Sequence, residues 1–274
     1  MPPLTPPASS ASSPAQPPSS RDALVLALRA AGCVFAEEEA ELILDAASTA
    51  DEAAAMARRR AAGLPLEHVV GWAEFHGLRV GVEPGVFVPR RRTEFLVDQA
   101  LAAVPHASVV VDLCCGSGAV GAALAASLGP VELHACDIDP VAVACARRNL
   151  AEHGGHAYAG DLFAPLPDRL RGRVDILAAN VPYVPTDEVP LLPSEAREHE
   201  PLTALDGGGD GLDVLRRVAA EAPLWLAPGG RLLVETSERQ SPAAVEAFAR
   251  SGLTVRVARD EELSAHVILG AAFR

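Results

Sequence analysis

No lysine occurs anywhere in the 274 residues, so all 23 basic side chains are arginines. Catalysis through a lysine Schiff base, and the lysine of a phosphate-binding P-loop, are therefore excluded. Paired cysteines are lacking too. The five present, Cys33, Cys114, Cys115, Cys136 and Cys145, form no CxxC pair and no disulfide-framework spacing, as expected of a reducing cytoplasm. Positive charge is in short supply: the formal net charge is -13, which opposes tight nonspecific binding to nucleic acid, although a local basic groove stays open. No apolar run reaches the roughly 18 residues that cross a bilayer, so no membrane partner is expected. The eight histidines show no metal-ligand spacing, and no metal is expected. Residues 1 to 20 are almost entirely Pro, Ser and Ala, with neither a basic start nor an apolar stretch, and read as a disordered tail rather than a signal.

What is present, 49% hydrophobic residues over this length, suffices for one large and one small domain. From Arg21 to Gly63 the pattern is helical, with Leu24, Leu28 and Ala31 on one face and Leu42, Ile43 and Ala46 on another. Residues 21 to 65 are therefore assigned to a helical N-terminal domain. Residues 66 to 89, short β-branched and aromatic stretches broken by glycines, are assigned to a hairpin linker. From residue 90 to 274 strands and helices alternate. Strands are expected at 109 to 113, 132 to 136, 156 to 159, 174 to 179, 231 to 236, 252 to 258 and 266 to 270. Helices are expected at 94 to 104, with the Thr93 hydroxyl as cap, at 118 to 128 and at 140 to 152. Such alternation implies a mostly parallel sheet covered by helices on both faces, with ligands at the C-terminal strand edge. The stretch from Val184 to Gly211 breaks the rhythm with four prolines and four glycines, a long loop of the kind that is usually functional.

Three successive strand ends carry polar groups suited to one nucleoside. Asp112-Leu113-Cys114-Cys115-Gly116-Ser117-Gly118 turns from strand to helix, with glycines that let backbone N–H groups approach a ligand. Asp137 ends the next strand, where its carboxylate can take both ribose hydroxyls. Asp161 and Leu162 end the third, the one to accept an adenine amine and the other to cover the ring. Gly116 to Gly121 also satisfies G-x-G-x-x-G, with Asp137 21 residues after the first glycine, as in a fold that binds NAD. Two features favour S-adenosylmethionine. Asp112 stands where that cofactor's amino group would lie, and hydride transfer has no use for Asn180-Val181-Pro182-Tyr183. This tetrapeptide follows the apolar strand 174 to 179 and offers a side-chain amide, an exposed carbonyl and an aromatic ring. The Asn180 oxygen and the Val181 carbonyl can accept both N–H bonds of a planar amide and favour charge on its nitrogen. Tyr183 can stack on the acceptor plane, and Pro182 restricts Val181 to extended conformations. Asn180 is assigned to the cofactor side as well as the acceptor side. Arg90-Arg91-Arg92 reads most simply as a solvated charge run, with a contact to the cofactor carboxylate or to a substrate as the other reading, and Glu200-Pro201 either anchors the loop or touches substrate.

These residues resemble the release factor glutamine methyltransferase family, whose members methylate the glutamine of a Gly-Gly-Gln loop in peptide chain release factors. The resemblance covers nearly everything after residue 21. It includes Gly71-Trp72-Ala73-Glu74-Phe75-His76-Gly77, Val88-Pro89-Arg90, Thr93-Glu94, the glycine turn, Asp137, Asn180 with Pro182-Tyr183, Glu200-Pro201, Ala204-Leu205 and Gly208 through Leu212. It implies an α/β fold with a Rossmann-like seven-stranded SAM-dependent methyltransferase domain, a small helical substrate-recognition domain and a hairpin linker. It also implies ribose binding by Asp137, adenine binding by Asp161 and Leu162, and glutamine binding by Asn180 to Tyr183. The acceptor it implies is a release factor, in the cytoplasm. Three motifs depart from the family pattern: Val181 replaces the first proline of Asn-Pro-Pro-Tyr, Arg91-Arg92 stand in Pro-Arg-Pro-Glu-Thr-Glu, and Cys114 replaces the first glycine of the cofactor turn. Asn-hydrophobic-Pro-Tyr also resembles adenine N6 methyltransferases acting on ribosomal RNA, which keeps a nucleobase acceptor open. A cofactor-binding subunit without activity and an NAD oxidoreductase are the remaining alternatives.

Overall fold

A computed structural model of the chain describes residues 20–272. The tail expected over residues 1 to 20 lies outside them except for Ser20, whose hydroxyl caps the first helix by accepting from the Ala23 amide at 3.3 Å. The chain divides into two compact units at Val70 and Gly71.

In the first unit α1 (Arg21–Ala30), α2 (Ala36–Ala46), α3 (Ala50–Ala61) and α4 (Leu66–Val70) follow one another. The helical spacing brings Leu24 and Leu28 onto Ala36, Ala40 and Ile43, with Ala53 and Ala57 completing a small core. Ala31, expected on the inner face, is instead the exposed C-cap of α1. The strand texture expected from Leu66 is also corrected. Leu66–Val70 is helical because it buries His68 and Val69 on one side, and it stops at Gly71, whose φ of 85° is the left-handed conformation that ends helices.

The second unit begins with the hairpin β1 (Trp72–Phe75) and β2 (Leu78–Gly81), paired from Trp72↔Gly81 to Phe75↔Leu78. His76 and Gly77 both have positive φ, as a tight two-residue turn requires. There follow α5 (Glu94–Ala103), β3 (Val109–Leu113), α6 (Ala119–Leu128), β4 (Glu132–Asp137), α7 (Pro140–Leu150), β5 (His156–Ala159) and β6 (Val174–Ala179). After them come α8 (Ser194–His199), α9 (Leu202–Leu205), α10 (Asp213–Glu221), β7 (Leu226–Thr236), α11 (Ser241–Arg250), β8 (Leu253–Asp260) and β9 (Ala265–Ala272). The seven strands of the main sheet run in the order β5-β4-β3-β6-β7-β9-β8, and β9 alone runs opposite to the other six. Helices α5, α6 and α7 bury alanine, valine and leucine on one face, and α10 and α11 do so on the other.

The chain moves outward from β3 through β4 to β5, then returns to the other side of β3 with β6. Ligands of open α/β sheets bind at such a reversal, outside the C-terminal strand ends. Here it puts the end of β3 beside the end of β6, so Asp112 and Asn180 face the same crevice. The long stretch after β6 is ordered by a parallel bridge between Val184 and Asp206 and by short helices. Among the described residues no helix is long and apolar enough to cross a membrane.

The hairpin is fastened to α7 next to the cofactor turn by Asn149. Its Nδ2 donates to the carbonyls of Gly81 and Ser117, both at 2.8 Å, and its Oδ1 accepts from the Gly81 amide at 3.0 Å. Asn149→Ala should cost about 2 kcal/mol in chemical denaturation, because three partly buried backbone groups lose their partner. Hydrogen exchange should quicken at Gly81 and in the turn; unchanged exchange at both would show that Asn149 does not fasten them.

Candidate active site

Two cavities adjoin at the C-terminal edge of β3 and β6. The first, about 260 Å³, is lined by Asp112, Cys114, Gly116, Asp137, Asp161, Leu162, Asn180 and Pro182 among others. The second, about 460 Å³, is lined by Val181, Tyr183, Arg90, Arg92 and the loop residues Leu192 and Pro193. Phe87, Asn180 and Ala204 border both. Asn180 and Pro182 thus face the first cavity, and Val181 and Tyr183 the second. Gly118 borders neither. Its φ is 79°, and a Cβ there would come within 3.1 Å of the Ala146 Cβ, so this glycine serves the close packing of α6 on α7.

Three carboxylates of the first cavity belong to the ends of β3, β4 and β5, and a fourth, Asp206, follows α9. Asp137 is held by the Gly116 amide at 2.8 Å on one oxygen and by the Asp139 amide at 2.9 Å on the other, which leaves a lone pair on each. Burial raises its pKa, against the pull of those backbone donors. Asp112 is 1% exposed and accepts from the Gly121 amide at 2.9 Å. Burial pushes its carboxyl up to about 7. Asp161 is exposed, and Arg217, which also lines the cavity, donates to its Oδ2 at 2.6 Å. Leu162 covers the cavity wall with a φ of 48°. Cys114 likewise has a φ of 54°, so the turn keeps the left-handed shape that glycine would take there without strain. Burial raises the Cys115 thiol well above its usual value and Cys136 to about 12, so neither supplies a thiolate nucleophile.

In the second cavity the tetrapeptide is gripped from several sides. Gln240 donates from Nε2 to the carbonyls of Tyr183 at 2.8 Å and Asp210 at 2.9 Å. The Gly207 amide donates to the Val184 carbonyl at 2.8 Å, and a Cβ at Gly207 would lie 2.6 Å from the Pro182 carbonyl oxygen. Only glycine allows that approach. Val181 buries its side chain at 1% exposure in the core beneath α10, so it adds packing where the family pattern has proline. Asn180 donates from Nδ2 to the Thr93 hydroxyl at 3.4 Å, and its Oδ1 is buried without a hydrogen-bond partner.

Residues 77–190 match the methyltransferase small domain family. A release factor glutamine methyltransferase of Geobacter sulfurreducens is 42% identical over 196 residues, 71% of this chain and 68% of its own. The chain belongs to the release factor glutamine methyltransferase family. Another relative so named, from Mycolicibacterium smegmatis, is 42% identical over 196 residues, covering 70% of this chain and 69% of its own. The crystal structure of a methyltransferase from Pyrococcus furiosus has the same fold, with a TM-score of 0.52 and 17% identity over 71% of this chain and 88% of that one.

The cofactor of this methyltransferase is S-adenosylmethionine. The first cavity fits it by the chemistry of its walls: a buried carboxyl that lacks a cationic partner at Asp112, a carboxylate held open at Asp137, and apolar cover at Leu162.

Two expectations are corrected and one left open is decided, each by a contact across the fold. Thr93 does not cap α5, which starts from a 3-10 turn over Arg91–Thr93; its hydroxyl receives Asn180 instead. The arginine run is not simply solvated. Arg90 donates to both oxygens of buried Glu200, at 2.7 and 2.5 Å, and Arg92, though partly exposed, donates to Glu235 at 3.0 Å. Glu200 also accepts from the Val88 amide at 3.2 Å, so it anchors the loop. Phe87, Gln240 and Arg217 were missed because each sits between motifs, although Phe87 directly precedes Val88-Pro89-Arg90.

A carboxyl buried in its neutral form gives a signed pH dependence. The Asp112 pKa is about 7 in the folded protein and about 4 unfolded, so its favourable contribution is complete below pH 4 and is lost as pH rises through 7. The loss amounts to up to about 4 kcal/mol. Asp112→Asn keeps an acceptor for the Gly121 amide and should flatten this decline in cofactor-free protein, as followed by denaturation midpoints between pH 4 and 8. Parallel profiles for the two proteins would show that Asp112 is not its source.

Proposed function

We propose that this chain transfers a methyl group from S-adenosylmethionine to the side-chain amide nitrogen of a glutamine, in the Gly-Gly-Gln loop of a peptide chain release factor. The observation that carries the reading is the Asn180 Oδ1, buried without a partner at the border of the two cavities. An orphaned buried oxygen costs about 1–3 kcal/mol, a cost that a bound N–H donor would remove. The relatives named release factor glutamine methyltransferase support the choice of acceptor.

When bound, the cofactor supplies a methyl group made electrophilic by its sulfonium. The acceptor is a poor nucleophile, because the lone pair of an amide nitrogen is delocalised into its carbonyl. In this reading Asn180 Oδ1 takes one N–H of the glutamine amide and the Val181 carbonyl the other. Charge developing on nitrogen is then favoured and the amide is held in one orientation, and one of its two N–H protons is released to solvent once the methyl group is in place. Thr93 orients Asn180 by receiving its Nδ2, and Pro182 keeps the Val181 carbonyl extended. Tyr183 lies against the acceptor plane. On the other side Asp137 holds the ribose hydroxyls, Asp161 and Leu162 the adenine, and Asp112 the cationic end. Gly116 lets its backbone approach, with Cys114 and Gly118 shaping the turn.

Recognition of the acceptor protein belongs, in this reading, to the helical unit. It displays Leu26, Val34 and Phe35 at 68, 83 and 66% exposure, an apolar surface for a partner. Phe35→Ser should raise KM for the release factor several-fold and leave cofactor affinity alone; an unchanged KM would remove this surface from recognition.

The test of the whole reading is transfer of labelled methyl to purified release factor and, in parallel, to ribosomal RNA, with mass spectrometry locating the product. Label on the loop glutamine is expected. Label in RNA alone would overturn the amide reading in favour of adenine. Asn180→Ala should lower kcat by at least about a hundredfold, in line with loss of one donor or acceptor to a developing charge. Its cofactor affinity should stay within a few-fold, and wild-type turnover would dismiss Asn180.

A further inference from the structure

A buried carboxylate stands beside the acceptor site with no part in the chemistry above. The register runs through Ala178↔Leu233 to Ala179↔Val234, and Asn180 and Glu235 are the next residue of each chain. Glu235 is 2% exposed. Its Oε1 accepts from Arg92 Nε at 3.0 Å and from the Tyr183 hydroxyl at 3.4 Å, while Arg92 Nη2 donates to the Tyr183 hydroxyl. The guanidinium also stands 5.7 Å from the Tyr183 ring centre. Its side chain is 44% exposed and borders the second cavity. The three groups close a triangle whose aromatic corner faces that cavity.

The triangle is costly for the fold. Glu235 Oε2 is buried with no hydrogen-bond partner, and a buried ion pair is commonly no more stable than apolar side chains of the same volume. A carboxylate kept under those terms, one strand from Asn180, has a use other than stability.

We propose that Glu235 is a positioning residue for methyl transfer: it fixes the fork of Arg92, and through it the tilt of the Tyr183 ring against the acceptor amide. This rests on the assignment of Asn180 to Tyr183 as the acceptor site. Glu235 acts through Arg92 and Tyr183 and does not itself border the second cavity. Without it, the guanidinium turns to solvent and the ring loses its fixed angle, so the acceptor amide is held less often in line.

The charges facing the Tyr183 hydroxyl are Glu235 from β7 and Arg92 and Arg90 from the segment before α5. Burial first, then Glu235, push the hydroxyl up to about 12. Removing the carboxylate takes away the charge that raises the tyrosine pKa, and this outweighs the departure of Arg92, so the pKa should fall. Tyr158 and Tyr183 are the two tyrosines of the chain, so a Tyr158→Phe background isolates the signal of Tyr183.

The experiment compares Glu235→Gln and the apolar, similarly sized Glu235→Met with the parent protein. It measures stability, cofactor Kd, kcat and KM on release factor, and tyrosinate absorbance up to pH about 10, where an ordinary tyrosine is half ionised. The expected result is unchanged or raised stability, an unchanged cofactor Kd and a kcat at least about tenfold lower. Tyrosinate should begin to appear at lower pH in the variants than in the parent. Parental kcat in both variants overturns the proposal, as does a kcat loss that follows a loss of stability or of cofactor affinity. Unaltered tyrosinate absorbance also overturns it, because Arg92 would then not couple Glu235 to the ring. A parent protein that leaves release factor unmethylated removes the acceptor assignment instead, and this proposal with it.

Discussion

An amide oxygen held out of water with nothing to bond is the constraint around which the large unit is organised. Asn180 cannot keep its Oδ1 free unless the backbone after β6 is prevented from turning toward a nearby donor. The strand itself provides only one side of that restraint. Gln240 holds the Tyr183 carbonyl, Gly207 lets the loop strand press on Pro182, and the bridge at Val184 ties the outgoing chain to the segment 205 to 208. These contacts are local in space and remote in sequence. Their summed stabilisation, with Val181 sunk in the core, offsets the cost of the unsatisfied oxygen.

The cofactor side obeys the same logic with carboxylates. Asp112 is carried into the sheet interior by β3, whose other residues are apolar and wholly buried. It can stay there because the Gly121 amide takes one oxygen and because its proton affinity rises. A cationic ligand would relieve the remaining cost. Asp137 instead sits at a strand end, where two backbone amides reach it and keep both oxygens oriented. The left-handed φ of Cys114 belongs to the same turn: the chain must reverse sharply between β3 and α6 for Gly116 to meet Asp137. Strain at one non-glycine residue is thus a consequence of bringing two strand ends to one nucleoside.

Much of this was legible beforehand. The seven strands of the sheet fall close to the segments read from apolar runs, because burial on both faces leaves uninterrupted Val, Ile, Leu and Ala that turn residues punctuate. Asp112, Asp137, Asp161 and Asn180 could be named because a parallel sheet gathers every C-terminal strand end at one edge. What could not be read were pairings whose partners lie more than a hundred residues apart. Arg90 with Glu200 and Arg92 with Glu235 are such pairs. A run of three arginines carries no mark of which will turn inward, and Glu235 reads as the polar end of a strand. Thr93 was legible as a polar residue before a helix, but local sequence favoured capping where tertiary structure put Asn180 within reach. The hairpin boundary failed for a simpler reason: five residues rich in valine suit a strand or a buried helical turn equally, and Gly71 decided between them.

The absence of lysine acquires a structural meaning at Arg92. An ammonium on a flexible stem offers one point of charge, whereas a planar guanidinium presents separate donors in a fixed fork. Here one edge of that fork meets Glu235 and another meets the Tyr183 hydroxyl. Arg90 touches both oxygens of Glu200 from its Nη2, while its planar guanidinium stands 4.7 Å from the Phe87 ring centre. The two aromatic rings that border the second cavity are therefore each faced by an arginine whose charge is matched by a buried glutamate. Such pairing keeps the cavity's wall close to neutral, which suits an uncharged amide better than a site lined by free cations would.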